Sequence, residues 1–228
     1  MRNRYIIVIA LFLLAVGACD DNESVLPRVL PSEEGNFTDQ RDGSVYHWVR
    51  YGDLEWMTEN MRVEVENGES QIYSEIQITP EERKDQEAQN CIKYGYLYDY
   101  EAAQEAVPEG WRIPTDEDWQ KLEKLMGMSE SELSVFGWRG DRQGEMLQQK
   151  EMLWLRPGGF VNYEDKSFGS YTPDFLGFYG FFWSSSEDTG KQKAIIYRQI
   201  CYNTSQIGRF STLPEKLLSV RCVRDVSK

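Results

Sequence analysis

One helix start constrains the fold more than any other stretch, the segment GWRIPTDEDWQKLEKLMG over residues 110–127. Pro114 disfavours helical geometry in the residue before it, so an extended segment ends there. Thr115 then stands at the N-cap position, and Asp118 three residues later can complete a capping box. The pattern therefore predicts a helix that begins just after Thr115 and ends at Gly127.

The same segment predicts which side of this helix is buried. Trp119, Leu122, Leu125 and Met126 recur at helical spacing, so we expect one apolar face that packs against the core. The acidic residues 116–118 place negative charge at the positive end of the helix dipole. Because a helix start explains these acids sufficiently, we interpret them as structural rather than catalytic.

The N-terminus has the pattern of a secretion signal. Two arginines precede an apolar run over residues 5–16, which is too short to span a bilayer because that needs about 20 apolar residues. The segment VGAC at 16–19 resembles the lipobox of bacterial lipoproteins. We therefore expect residues 1–18 to be a lipoprotein signal peptide and Cys19 to be lipidated. An ordinary signal peptide with an incidental cysteine is the alternative.

A flexible tether is expected over residues 19–40, followed by one folded domain over 41–228. The tether has two prolines, several acids and few large apolar side chains, a composition typical of a linker. Its acidic start, Asp20, Asp21 and Glu23, is similar to the export signal of some surface-exposed lipoproteins. A plain solvated linker explains these residues equally well.

Charge and histidine content exclude two classes of function. The chain carries a formal charge of −13 and has no basic stripe, which argues against nucleic-acid binding. Its single histidine, His47, excludes mechanisms that need two imidazoles and histidine-rich zinc sites. Asp165 and Asp174 offer oxygen atoms of the kind that calcium accepts, but we predict neither a metal nor a cofactor.

Strand and helix signals elsewhere predict an α+β fold. Residues 42–57 alternate in polarity around a Gly-Asp turn, which indicates a β-hairpin. Residues 62–93 are polar and are expected to form a surface excursion with a short helix beginning at Pro80. The C-terminal third is expected to form an antiparallel meander, with strands at 181–186, 193–202, 207–211 and 217–224.

The middle of the chain predicts short helices and a long loop region. Residues 94–100 indicate a tyrosine-rich strand, and Asp99 can cap a short helix after it. Ser129 and Glu132 predict a second capping box. Residues 137–180 lack periodicity but are rich in glycine and aromatic side chains, so we expect ordered, irregular structure there. Long ordered loops of this kind often carry function.

Six motifs resemble, in the same order, those of the Fibrobacter succinogenes major paralogous domain family. They are GDLEWMTENMR at 52–62, YGYLYDYEAA at 94–103, GWRIPTDEDW at 110–119, PGGF at 157–160, GFYGFFWSSSE at 177–187 and SVRCVRD at 219–225. The resemblance covers about residues 42–226. It implies a C-type lectin-like α+β fold with antiparallel sheets, two or three short helices and paired terminal strands. It also implies a secreted or lipid-anchored bacterial protein, but no defined activity.

The cysteines depart from the family's pattern. Members often have a cysteine before the Pro-x-Gly-Trp turn that pairs with the C-terminal one, but this chain has Val107 there. We predict a disulfide between Cys201 and Cys222, with Cys91 bonded to either of them, or no bridge, as alternatives. The GWRIPTDEDW motif also resembles part of formylglycine-generating enzymes. Their reactive cysteine pair has no match in this chain, so no catalytic residue carries over.

The predicted function is a non-catalytic binding module, lipid-anchored in the outer membrane and exposed at the cell surface. Its partners would be a glycan or protein ligand and, through the lipid, the membrane. We expect the ligand face over residues 155–182, where aromatic side chains suit recognition and where Phe178 and Phe182 pack inward. The predicted ligand-binding residues are Tyr163, Asp165, Tyr171 and Asp174.

Two other functions stay open at this point. One is a structural or accessory subunit of a surface assembly, and the other is an enzyme such as a carbohydrate hydrolase, which would need paired carboxylates. If the loop face does not bind, the strands over 193–211, with Arg198 and Arg209 expected on their exposed side, are the next surface to test.

Overall fold

The computed structural model describes residues 29–74, 79–162 and 172–226. The elements in these ranges, in chain order, are β1 (Glu33–Thr38), β2 (Val45–Tyr51), β3 (Leu54–Met57), β4 (Ser70–Gln71), α1 (Pro80–Tyr94), β5 (Leu97–Tyr98), α2 (Tyr100–Ala106), α3 (Asp116–Leu125), α4 (Glu130–Leu133), β6 (Gly137–Arg139), α5 (Gln143–Gln148), β7 (Phe160–Asn162), β8 (Thr172–Asp174), β9 (Tyr179–Glu187), β10 (Ile195–Cys201), β11 (Ile207–Thr212), β12 (Leu218–Ser219) and β13 (Val223–Asp225).

Two sheets carry most of the strands. The smaller has the order β1-β2-β3-β13, with all neighbours antiparallel, so the last strand lies beside the predicted hairpin of β2 and β3. The larger has the order β4-β5-β12-β9-β10-β11-β6 and is antiparallel except between β12 and β9. The α+β class is therefore confirmed, with five helices in the described residues rather than the two or three that we expected.

Helix α3 begins where the capping box predicts. The Thr115 hydroxyl accepts the Asp118 amide at 3.0 Å, and the Asp118 carboxylate accepts the Thr115 amide at 2.8 Å. Trp119, Leu122 and Met126 are buried as predicted. Leu125 is 48% exposed instead, because it lies about 120° around the helix from Trp119.

The core lies on both faces of the larger sheet. On one face, α3 and α5 pack against Phe182 of β9, Ile200 of β10 and Ile207 of β11. On the other face, α2 and the β2–β3 hairpin enclose Trp183. The Trp183 indole donates a hydrogen bond to the Tyr98 carbonyl at 2.8 Å, which joins β9 to the end of β5. Strand β9 is thus covered on both sides, whereas β6 forms an edge of the sheet.

The structure corrects the predicted tether. Residues 33–38 fall within the segment 19–40 that composition assigns to a linker, but they form β1 and pair with β2 along their whole length. The composition of β1, EEGNFT, is polar. Backbone hydrogen bonds to an ordered neighbour hold such a strand in a sheet even when its side chains contribute little burial.

The C-terminal meander is only partly correct. Strands β9, β10 and β11 pair as neighbours in sequence, as expected. Residues 217–224 do not form one strand, because β12 pairs with β5 and β9 whereas β13 pairs with β3 of the other sheet. The chain crosses between the sheets at residues 220–222, which are buried.

Three helices also differ from expectation. The short helix start at Pro80 opens a 15-residue helix, α1. Ser129 precedes α4 but makes no hydrogen bond to its backbone, and its hydroxyl donates instead to the Glu132 carboxylate at 2.5 Å. The region 137–180, predicted to be irregular, contains β6 and α5 near its start and the β7–β8 pair further on.

Candidate functional site

A buried chain of alternating charges links α3 to the late strands. Its order is Arg139, Glu123, Arg198, Asp116 and Arg209. The two carboxylates of α3 bridge the three guanidinium groups, with nitrogen–oxygen distances between 2.6 and 2.8 Å. We call this set the ion-pair chain. It begins and ends with an arginine, so its formal charge is positive.

The electrostatics of Asp116 keep the ion-pair chain charged. Burial alone would raise the pKa of Asp116, but hydrogen bonds and charges from Arg209 and Arg198 outweigh it and lower the pKa to about 2. The carboxylate is therefore ionised throughout the physiological range. Both arginines are buried, so our expectation that they lie on an exposed strand face is wrong. Arg198 and Arg209 lie opposite each other on β10 and β11, and their side chains are on the face of the sheet that packs against α3.

A groove of about 540 Å³ opens beside the Arg209 end of this chain, at the edge of the larger sheet. We call it the edge groove. It is formed by the segment before β6, by the facing parts of β10 and β11, and by the turn after β9. Its lining residues are Phe136, Gly137, Asp188, Gly190, Lys191, Tyr197, Phe210 and Ser211. Pockets that combine aromatic walls with a few polar groups are typical ligand sites.

The wall of the edge groove continues into a row of aromatic rings. Trp138 contacts Phe210 with ring centres 5.8 Å apart, Phe210 contacts Tyr197 at 6.0 Å, and Tyr197 contacts Phe181 at 5.9 Å. The register explains this row, because Trp138 lies opposite Gly208 and Tyr197 lies opposite Phe210. Gly208 leaves room for the row, since a Cβ there would lie 2.4 Å from the Phe210 ring.

Phe136 lines the groove and covers the buried Arg209. Its ring centre lies 4.1 Å from the Arg209 guanidinium, a cation–π contact, and the side chain is 47% exposed. Arg209 also donates to the Ser134 carbonyl at 2.8 Å. Trp138 is exposed as well. One large aromatic side chain in the groove lining and one beside it, next to Phe210, therefore face solvent, which is the kind of surface that marks an interaction site.

The polar rim of the groove is built by the turn over residues 188–191. The Asp188 carboxylate accepts the Ser211 hydroxyl at 2.6 Å and the Gly190 amide at 2.9 Å. Lys191 donates to the Ser211 oxygen at 3.2 Å. The hydrogen bonds from Ser211 and Gly190 lower the pKa of Asp188, so this carboxylate is also ionised near neutral pH. The rim thus offers an ammonium group and a hydroxyl beside the aromatic wall.

A second groove, of about 690 Å³, is less suited to a ligand. It lies between β1, β2 and the loop after α5, and its aromatic residues are Trp48 and Trp154. Trp48 is buried, and the Arg156 guanidinium already lies 3.5 Å from the centre of the Trp154 ring. His47 is likewise engaged, with its Nδ1 2.7 Å from the Glu59 carboxylate. We therefore take the edge groove as the candidate site.

The Fibrobacter succinogenes major domain matches residues 49–224, about three quarters of the chain. The chain belongs to this family. The match contains α3, the ion-pair chain and the edge groove, so the site is part of the family domain. No curated protein and no solved structure matches the chain. Within the described ranges, no helix combines the length and apolar character needed to cross a membrane.

The predicted ligand residues cannot be compared with the groove. Tyr163, Asp165 and Tyr171 lie outside the described residues, as does Cys19, and the side chain of Asp174 is not described. Of the two phenylalanines that we expected to pack inward, Phe182 is buried. Phe178 is 51% exposed, because it lies in a turn, where its ring contacts Tyr202 with the ring centres 5.1 Å apart.

The predicted disulfide between Cys201 and Cys222 is not formed, and both residues are free thiols, as is Cys91. Cys222 is buried in the core around Trp183, whereas Cys201 is the last residue of β10. The Cys201 thiol lies 2.7 Å from the Asn203 side-chain oxygen. Burial raises the pKa of the Cys222 thiol to about 12, so this thiol is unreactive.

The alternation of side chains along β10 and β11 is a sequence signal for the groove that our predictions did not include. Tyr197 and Phe210 each stand one position away from a buried arginine on adjacent strands, so they point to the opposite face. Trp138 lies opposite Gly208 of β11, so its ring is on the same face as Phe210. No group of three or more histidine, cysteine or acidic side chains suited to a metal occurs in the described part of the chain.

Proposed function

We propose that the protein is a non-catalytic module that binds carbohydrate in the edge groove. The observation that carries this proposal is the row of aromatic rings, solvent-exposed at Trp138, beside a rim of hydroxyl, carboxylate and ammonium groups. A sugar presents apolar C–H faces that pack on aromatic rings and hydroxyl groups that need such a rim. The groove volume of about 540 Å³ lies within the range of small-ligand sites.

The same geometry favours binding over hydrolysis. A glycosidase of the usual type needs two carboxyl groups on either side of the bond that it cleaves. Among the described residues that line the groove, Asp188 is the single carboxylate, and Ser211 and Gly190 already occupy it. Asp116 and Glu123 are not among the described lining residues, and arginines hold both of them in the ion-pair chain.

The anchor and the location belong to the same proposal. VGAC at 16–19 supports a lipid at Cys19, and the acidic residues after it support display at the surface of the outer membrane. With β1 beginning at Glu33, a short linker would separate lipid and domain. The pairing of β13 with the N-terminal hairpin supports a C-type lectin-like arrangement of this domain.

Replacing Phe136 with alanine is expected to weaken glycan binding by at least ~1 kcal/mol, the lower limit for a useful contact residue. Because the side chain is 47% exposed, the melting temperature should change little. A glycan array would identify a ligand, and isothermal titration calorimetry would measure its dissociation constant for each variant.

Phe178→Ala is the matched control, since it makes the same change at a similarly exposed site outside the groove lining. The proposal fails if Phe178→Ala weakens binding and Phe136→Ala does not, because the ligand would then lie on the loop face over 155–182. Release of shorter sugars during the titration would favour an enzyme. An array without any bound glycan would favour a structural subunit.

Replacing Cys19 with alanine is expected to move the protein from the membrane fraction to the soluble fraction, because the lipid would have no attachment point. Mass spectrometry of the mature wild-type protein should show a lipid-modified cysteine at its N-terminus. A mature N-terminus downstream of residue 19 would show that the chain has an ordinary signal peptide.

A further inference from the structure

The edge groove presents one ammonium group, that of Lys191, on an otherwise acidic protein. The whole chain has a formal charge of −13. Of the ion-pair chain, Arg209 lies next to the groove lining, under Phe136. The three arginines of the chain are balanced in formal charge by Asp116, Glu123 and Glu132, the last with a pKa that is lowered by the hydrogen bond from Ser129 and in part by Arg139. At the rim, Asp188 and Lys191 compensate one another in formal charge. An anion meets no net excess of positive charge here, so its recognition would need a cationic side chain that is free to donate.

The charged groups of the groove differ in how free they are. Both oxygens of Asp188 already accept hydrogen bonds from the protein. Arg209 is tied to Asp116 and to the Ser134 carbonyl and lies under Phe136, so it contributes to the field but not to direct contact. The Lys191 side chain belongs to an exposed residue and makes one hydrogen bond within the described ranges, so its ammonium keeps donors for a ligand.

We propose that the edge groove binds acidic glycans, with the Lys191 ammonium contacting a carboxylate or sulfate group while the sugar ring packs on Phe136 and the aromatic row. This inference rests on the proposed carbohydrate-binding function and names its ligand class. Lys191 is a suitable contact because it is exposed and because its hydrogen bond to Ser211 holds the ammonium at the groove. A charge-assisted hydrogen bond from this group adds affinity that a neutral sugar cannot obtain.

The test is titration calorimetry of the protein with matched pairs of oligosaccharides. One pair is an oligogalacturonide and its methyl ester, and the other is a sulfated oligosaccharide and its desulfated form, so the two arms separate carboxylate from sulfate recognition. For an acidic member, Lys191→Gln is expected to weaken binding about five- to tenfold, the size of a hydrogen bond to a charged group that is partly screened by solvent. Binding should also weaken as salt is added.

Lys193→Gln is the matched control, because Lys193 is an exposed lysine two residues away that is not part of the groove lining. It should leave the affinity unchanged, and both variants should keep the wild-type melting temperature. If acidic and neutral members bind equally and Lys191→Gln has no effect, the preference for acidic glycans is refuted while carbohydrate binding stands. If no oligosaccharide of either kind binds to the groove, the inference and the proposed function both fail.

Discussion

Replacing Trp119 with alanine is expected to lower the free energy of unfolding by about 3–5 kcal/mol, the usual cost of truncating a buried tryptophan. The side chain is fully buried in the core between α3 and the sheets. Its ring lies edge-on to Trp56 at 4.8 Å and tilted against Phe182 at 6.3 Å. Alanine would therefore leave a cavity where the helix contacts Trp56 and Phe182.

Urea denaturation followed by circular dichroism measures this loss. Glu117→Ala is the control on the same helix, since its side chain is 80% exposed and its ion pair with Lys121 is a surface contact of 3.8 Å. It should change stability by less than about 0.5 kcal/mol. The Trp119 indole nitrogen has no hydrogen-bond partner in the described chain, so Trp119→Phe should cost less than alanine. A loss of stability below about 1 kcal/mol for Trp119→Ala would show that the Trp119 side chain is not packed in the core.

Local signals in the sequence predict the parts of the fold that are held by local interactions. Thr115 with Asp118, and Asp99 with the Ala102 amide, form caps between residues three positions apart. The β2–β3 hairpin turns at the predicted Gly-Asp pair. These features depend on side-chain chemistry and backbone preferences within a few residues, and a short segment contains all of that information.

Non-local interactions determine the parts that the sequence does not predict. The strand pattern alone predicts that Arg198 and Arg209 are exposed. They are buried because α3 packs against them, and their partner Asp116 lies more than 80 positions earlier in the chain. The same applies to β1, whose order comes from β2. The division of residues 217–224 into two strands likewise depends on two separate sheets.

The candidate site illustrates the same limit. Aromatic content predicts the ligand face over residues 155–182. The edge groove instead combines the segment before β6 with the turn at 188–191 and the strands β10 and β11. Only the sheet order β10-β11-β6 brings these segments together, and that order includes a pairing between β11 and a strand more than 60 residues earlier. Aromatic composition alone cannot identify which rings face a common groove.

Replacing Asp116 with asparagine is expected to destabilise the protein by about 3–5 kcal/mol, the cost of removing one partner from a buried ion pair. Its carboxylate lies between Arg198 and Arg209, with oxygen–nitrogen distances of 2.7 Å to both. Asparagine keeps the shape but leaves the two guanidinium groups without their shared countercharge. Glu117→Gln is the matched control, because it removes the same charge from the same helix turn at a side chain that is 80% exposed.

The pH dependence of stability tests the same carboxylate independently. The pKa of Asp116 is about 2 in the folded protein against an ordinary value of 3.8, because Arg209 and Arg198 outweigh the opposing effect of burial. The folded pKa is the lower one, so the stabilisation is present above pH 3.8 and is lost as the pH falls towards 2. This shift corresponds to about 2 kcal/mol.

Other carboxylates with lowered pKa values, such as Asp118, contribute to the wild-type curve and to that of Asp116→Asn alike. Between pH 5 and pH 2 the asparagine variant should therefore lose about 2 kcal/mol less stability than the wild type. Parallel curves for the two proteins would show that Asp116 is not held by the ion-pair chain.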